Sequence, residues 1–121
     1  SKKGNTIILD AYNANPSSME TAINSFNKLQ SESKVLILGD MLELGIDSES
    51  EHQKIINILN VNSYKKVILV GVEFAKSKHN FKHFYSSEEL IEWSELSDVM
   101  NSTILLKGSR KIALEKLVEK L

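Results

Sequence analysis

Residues 7–20 read IILDAYNANPSSME. Ile7, Ile8 and Leu9 have the composition of a buried strand, and on sequence they read as core. The run stops at Asp10 and passes through Tyr12, Asn13 and Asn15 to the chain's only proline, Pro16. Asparagine before proline is a good helix start. Its side chain caps free N–H groups, and proline's fixed φ suits the first helical position. Ser17 and Glu20 offer an alternative start as a capping box. Beyond them Met19, Ala22, Ile23, Phe26 and Leu29 recur at three- and four-residue spacing, the face of an amphipathic helix. The stretch is therefore a strand, a polar turn and a helix. Capping accounts for Asn15 and Ser17. It leaves Asp10, Tyr12 and Asn13 without a structural task, so these three read as contact residues.

The same alternation continues outward. Further β-branched or aliphatic runs lie at Val35–Leu38, Lys66–Val70, Phe81–Tyr85 and Thr103–Leu106. Between them, helical spacing appears from about Ser48 through Ile55, Ile56 and Leu59, again at Leu90, Ile91, Trp93 and Leu96, and last at Ile112, Leu114, Leu117, Val118 and Leu121. Glu73–Lys78 reads as a short helix or turn. The runs at 35–38 and 66–70 are nearly all apolar, the pattern of parallel strands covered on both faces. The expected fold is α/β: an open, mainly parallel, Rossmann-like sheet of about five strands with helices on both faces. Residues 81–85, with Lys82 as a gatekeeper, read as an edge strand. Residues 1–121 read as a single domain without internal repeat or linker.

Composition narrows the function. At 121 residues the chain is long enough to bury a core without staples. It has no cysteine, which excludes disulfides and thiolate metal sites and fits a reducing cytoplasm. A net charge of −1, from 15 basic and 16 acidic residues, gives no field for nucleic acid or an anionic membrane. No apolar run approaches the roughly 20 residues of a membrane span. The polar opening SKKGN does not read as a signal peptide.

In open α/β sheets, ligands bind beyond the carboxyl ends of the strands. Three such ends are polar here. The first is Asp10–Pro16. The second is the run from Gly39 and Asp40 through Glu43 to Gly45. The third is Lys107-Gly108-Ser109-Arg110. Gly39 and Gly45 bracket a loop, and Asp40 in it could cap or accept N–H bonds. At the third end a helix start, two cations and a hydroxyl suit a carboxylate or phosphate. His52, His79 and His83 show no H-x-x-x-H or H-E-x-x-H spacing, so a histidine metal site has no support. No G-x-x-x-x-G-K-S/T, G-x-G-x-x-G or G-x-S-x-G motif occurs. A self-sufficient hydrolase, kinase or dehydrogenase is not expected.

Taken together the three ends resemble one family. D-x-Y-N-A-N-P-x-S-M at Asp10–Met19, G-D-M-x-E-L-G at Gly39–Gly45 followed by Ser48, Glu49 and His52, and K-G-S-R at Lys107–Arg110 are similar, in order and spacing, to the C-terminal domain of the Mur ligases. The resemblance is narrowest to the branch that joins D-alanyl-D-alanine to UDP-MurNAc-tripeptide. It implies the third domain of a three-domain bacterial cytoplasmic enzyme, expected to be monomeric, in which ATP and Mg²⁺ drive amide formation through an acyl phosphate. The P-loop, the metal ligands and most catalytic groups would lie in the central domain, so this chain alone is expected to be inactive. The resemblance implies that Asp10, Tyr12 and Asn13 meet the nucleotide, and that Asn15, Lys107, Ser109 and Arg110 meet the acceptor dipeptide. Asp40 and Glu43 either shape their loop or meet the dipeptide amine. His52 is expected to be a local structural contact. The family's antiparallel strand near the start of the domain is shortened here, which leaves that sheet edge open to question.

Two alternatives compete. A receiver-like signalling domain has the same β-α repeat, and Asp10, Asp40 and Lys107 fit it superficially. It needs an acid pair after the first strand, where this chain has Asp10-Ala11. It needs a phospho-acceptor after the third, where this chain has Val70-Gly71. The other alternative is a non-catalytic α/β binding module.

Overall fold

The aliphatic runs fix the layers. In the computed structural model, which describes residues 1–121, five strands form one sheet: β1 (Thr6–Asp10), β2 (Lys34–Gly39), β3 (Lys66–Val70), β4 (Lys82–Phe84) and β5 (Thr103–Lys107). Their order is β1-β5-β2-β3-β4, and every pairing is parallel. Four α-helices connect them: α1 (Pro16–Asn27), α2 (Ser48–Asn60), α3 (Val72–Ala75) and α4 (Ser87–Ile91). The expected α/β class, strand number and parallel sense are all present.

Alternation within the buried strands divides the core. Val35, Ile37, Ile68, Val70, Ile104 and Leu106 face a cluster with Leu90 of α4 and with Leu114, Leu117 and Leu121 near the C-terminus. Leu36, Leu38, Val67, Leu69 and Leu105 face the other, with Met19, Ile23 and Phe26 of α1 and Ile55, Ile56 and Leu59 of α2. Successive strand residues point to opposite faces, so a continuous apolar run feeds two cores. No helix is long and apolar enough to cross a membrane.

The helix α1 starts where Asn15 predicts. Its Oδ1 accepts from the Ser18 N–H at 2.9 Å, and Ser18 Oγ accepts from the Asn15 N–H at 3.1 Å. The reciprocal partner is Ser18, not the Ser17–Glu20 pair. The strand β4 is an edge, as expected of residues 81–85.

Three expectations are corrected. Ile8 and Leu9 are not core: they are 36% and 48% exposed, and Ile7 is half-buried. The chain runs from β1 over β5 to reach β2, so β1 has one neighbour and only partial cover. The helical pattern through Trp93 and Leu96 splits, because Trp93 is extended (φ −73, ψ 117) between α4 and a 3-10 turn at Ser94–Asp98. The last segment is also 3-10, Arg110–Ile112 and Leu114–Lys120, broken at Ala113 in the left-handed region (φ 59, ψ 48). Leu114 and Leu117 still share a buried face, because a threefold helix repeats at i+3.

Candidate functional site

The strand order places β1, β5 and β2 side by side. The three polar strand ends singled out in the sequence are therefore adjacent on one rim of the sheet. The plain end of β3 lies beyond them.

The loop after β1 is tied to the end of β5. Asp10 and Lys107 are register partners on neighbouring strands. Lys107 is 1% exposed. Its ammonium donates to Asp10 Oδ2 at 2.6 Å and to the Asn13 carbonyl at 3.1 Å. A buried lysine needs such partners to remain charged at modest cost. Lys107 thus grips both ends of the Asp10–Asn13 turn.

The ends of β2 and β5 are in close contact. A Cβ at Gly108 would lie 2.8 Å from Gly39 Cα, so both positions need glycine's bare backbone. The Ser109 N–H donates to the Asp40 carbonyl at 3.0 Å, which locks the two loops together.

Asp40 itself is buried. Its carboxylate accepts from the N–H groups of Glu73 and Phe74, both at 2.9 Å, at the start of α3. Burial pushes its pKa above the ordinary carboxylate value, against those two bonds. His52 is also buried. Its Nε2 accepts from the Met41 N–H at 3.0 Å, which leaves Nδ1 to donate to the Ser48 carbonyl at 2.7 Å. Ser48 Oγ donates to Glu73 Oε1 at 2.6 Å. That bond and the neighbouring Lys76 hold the Glu73 carboxyl below its ordinary pKa. Asp40, Ser48 and His52 thus spend their polar groups on bonds within the β2 loop and to α3.

Two cavities open on this rim. The larger, about 460 Å³, is lined by Tyr12, Asn13 and Ala14 of the first loop, Leu42 and Glu43 of the second, and Ser109, Arg110 and Lys111 of the third. Its size lies within the ordinary range for small-molecule sites. The smaller, about 350 Å³, is lined by Leu9, Asp10 and Ala11 with Glu115, and shares Tyr12 and Arg110 with the first. Arg110 lies over the Tyr12 ring, 5.2 Å from its centroid, so this stack is the wall between the two cavities. Tyr12 is 73% exposed, which leaves its ring largely open to a planar partner. Ser109 Oγ is buried and has no hydrogen-bond partner in the chain, although Ser109 lines the larger cavity. The hydrogen-bonding capacity of that hydroxyl is unused within the chain.

Of the residues singled out in the sequence, Asp10, Tyr12, Asn13, Glu43, Ser109 and Arg110 line one or both cavities. Asn15, Asp40 and Lys107 do not. Asn15 caps α1, Asp40 caps α3, and Lys107 is buried beneath the first loop. Lys111 and Leu42 line the larger cavity and were not anticipated. Lys111 follows the K-G-S-R run directly, and the tight 3-10 turn at Arg110–Ile112 brings it to the cavity. Glu43 has a positive φ of 64°. A residue with a side chain pays roughly 1–2 kcal/mol for that left-handed conformation.

A family model described as "Mur ligase, glutamate ligase domain" matches residues 1–110. UDP-N-acetylmuramoyl-tripeptide–D-alanyl-D-alanine ligase of Buchnera aphidicola (subsp. Acyrthosiphon pisum) is 39% identical over 95% of this chain and 26% of its own length. The same-named ligase of Treponema pallidum is 33% identical over 93% of the chain and 26% of its own length. Among solved structures, MurF ligase from Thermotoga maritima in complex with ADP superposes with a TM-score of 0.80 at 27% identity, over 99% of this chain and 28% of that one. A MurF from Acinetobacter baumannii superposes with a TM-score of 0.70 at 27% identity, over 95% of this chain and 28% of that one. The chain spans about a quarter of the length of the curated relatives it matches.

Proposed function

The chain belongs to the Mur ligase family, in its glutamate ligase domain, and on that premise we propose that it is the C-terminal domain of an ATP-dependent ligase joining D-alanyl-D-alanine to UDP-MurNAc-tripeptide. One observation carries the reading beyond similarity. The three polar strand ends converge on two cavities that share the Tyr12–Arg110 wall. Two ligands can therefore sit side by side on one rim.

The smaller cavity is the nucleotide side. The exposed Asp10 carboxylate has one oxygen bonded to Lys107 and one free for ribose hydroxyls. The Tyr12 ring offers stacking area to the base at low entropy cost. Asn13 lines the larger cavity beside the shared Tyr12 wall, from where it meets the phosphate side. The larger cavity is the acceptor side. Ser109 and Arg110 hold the dipeptide carboxylate, and Lys111 joins them. Lys107 and Asn15 serve the same sites indirectly, through the ammonium grip on the first loop and the cap of α1.

When bound, ATP supplies the activation of the tripeptide carboxylate as an acyl phosphate. The chain's own residues orient the acceptor and, on closure against a central domain, exclude water. The Mg²⁺ ligands belong to that other domain in this reading. The opposed charges of the larger cavity, Glu43 against Arg110 and Lys111, favour this ligase reading over a receiver domain, which needs clustered acids.

Ser109→Ala in the intact ligase tests the assignment. Loss of one hydrogen bond to a charged group raises KM for D-alanyl-D-alanine about 10-fold. KM for ATP stays within about 2-fold, because Ser109 lines only the larger cavity. An unchanged dipeptide KM would remove Ser109 and this cavity from acceptor binding.

A further inference from the structure

Glu43 is the one acidic residue lining the larger cavity. It takes part in none of the chain's ion pairs. Arg110 and Lys111, on the β5 side of the same cavity, form none either. The cavity thus presents an unpaired negative charge on one loop and two unpaired positive charges on another. An anion alone would meet Glu43 unfavourably, and a cation alone would meet the opposite pair. A ligand carrying both charges satisfies both walls.

The backbone points the same way. Glu43 and Gly45 both have positive φ, 64° and 57°, in the same loop. At Gly45 the residue is the one that geometry favours. At residue 43 it is a glutamate, an uncommon occupant of that region. Strain retained at a cavity wall, with a free carboxylate as its product, is the pattern of a functional position.

We propose that Glu43 receives the ammonium group of a zwitterionic acceptor whose carboxylate is held by Ser109, Arg110 and Lys111. This rests on the assignment of the larger cavity as the acceptor site. It decides between the two roles the sequence left open for Glu43, and it makes the site selective for a free amine as well as a free carboxylate.

The test uses the intact ligase, with D-alanyl-D-alanine as substrate and N-acetyl-D-alanyl-D-alanine, which lacks the ammonium group, as a competitive probe. Glu43→Gln keeps size and backbone conformation but removes the charge. It is expected to raise KM for the dipeptide about 10-fold and to leave Ki for the acetylated probe within about 2-fold. Glu43→Gly relieves the backbone and is expected to give the same KM loss with a raised Tm. An unchanged KM in Glu43→Gln overturns the proposal. A parallel rise in KM and Ki also overturns it, because Glu43 would then act on the loop rather than on the amine. Failure of the cavity assignment looks different: Ser109→Ala would then move neither KM nor Ki.

Discussion

Gly71→Ala is expected to lower the unfolding free energy of the chain by about 3–5 kcal/mol, read from urea denaturation. Gly71 has φ +122 and ψ 165, a region open in practice only to glycine. A Cβ there would lie 2.2 Å from the Asp40 carboxylate. That carboxylate is buried and holds the N–H groups of Glu73 and Phe74, so it has nowhere to move without leaving two donors unpaired. Three costs therefore coincide: backbone strain, overlap and lost hydrogen bonds. Gly45→Ala is the control. Its φ is 57°, but a Cβ there meets nothing within 4 Å, so only the backbone term of about 1–2 kcal/mol should remain. In the double variant Asp40→Ala/Gly71→Ala the overlap disappears, and the two effects should fall short of additivity. A loss under about 1 kcal/mol for Gly71→Ala would mean that Asp40 does not anchor this corner.

The second large effect falls on activity. Lys107→Met in the intact ligase is expected to lower kcat/KM about 100-fold, because misplacing a positioning loop by about 1 Å has that order of effect. Lys107 lines neither cavity. It acts by holding Asp10 and the Asn13 carbonyl, and so sets where Asp10, Tyr12 and Asn13 stand. Methionine fills similar volume without the charge. Asp10 is half-exposed, with a side-chain accessibility of 48%, and keeps water as a partner. Stability should therefore fall by only about 1–2 kcal/mol, well short of the cost of stranding a buried charge. Retention of kcat/KM within threefold would show that the first loop holds its shape without the lysine.

The sequence reading and the structure agree where information is local and periodic. The strand runs, the Asn15 cap and the three polar strand ends depend on residues close together in the chain. Their convergence depends on strand order, and that order is also why Ile8 and Leu9 were misread. The sequence shows an apolar run but not that β5, arriving some 95 residues later, lies on one side of it and nothing on the other. The C-terminal segment was misread for a different reason. Leu114, Leu117 and Leu121 satisfy helical spacing, but Leu114 and Leu117, three apart, suit a 3-10 segment equally well, and the left-handed Ala113 has no signature in composition. In the sequence Lys107 reads as a ligand cation, because a lysine at a strand end is usually solvated. Only its burial against Asp10 reveals the anchoring role. Asp40 was ambiguous in the sequence because its partners, the N–H groups at residues 73 and 74, are supplied by a distant short helix.

The central claim is that the rim formed by the ends of β1, β5 and β2 meets both nucleotide and acceptor. Hydrogen exchange on the intact ligase, with and without a non-hydrolysable ATP analogue and D-alanyl-D-alanine at saturation, tests it most directly. The account predicts slower exchange in three separated segments, residues 12–15, 42–44 and 108–111, with residues 79–85 at the far edge unchanged. Protection confined to that far edge, or absent from all three segments while the ligands are bound, would contradict it.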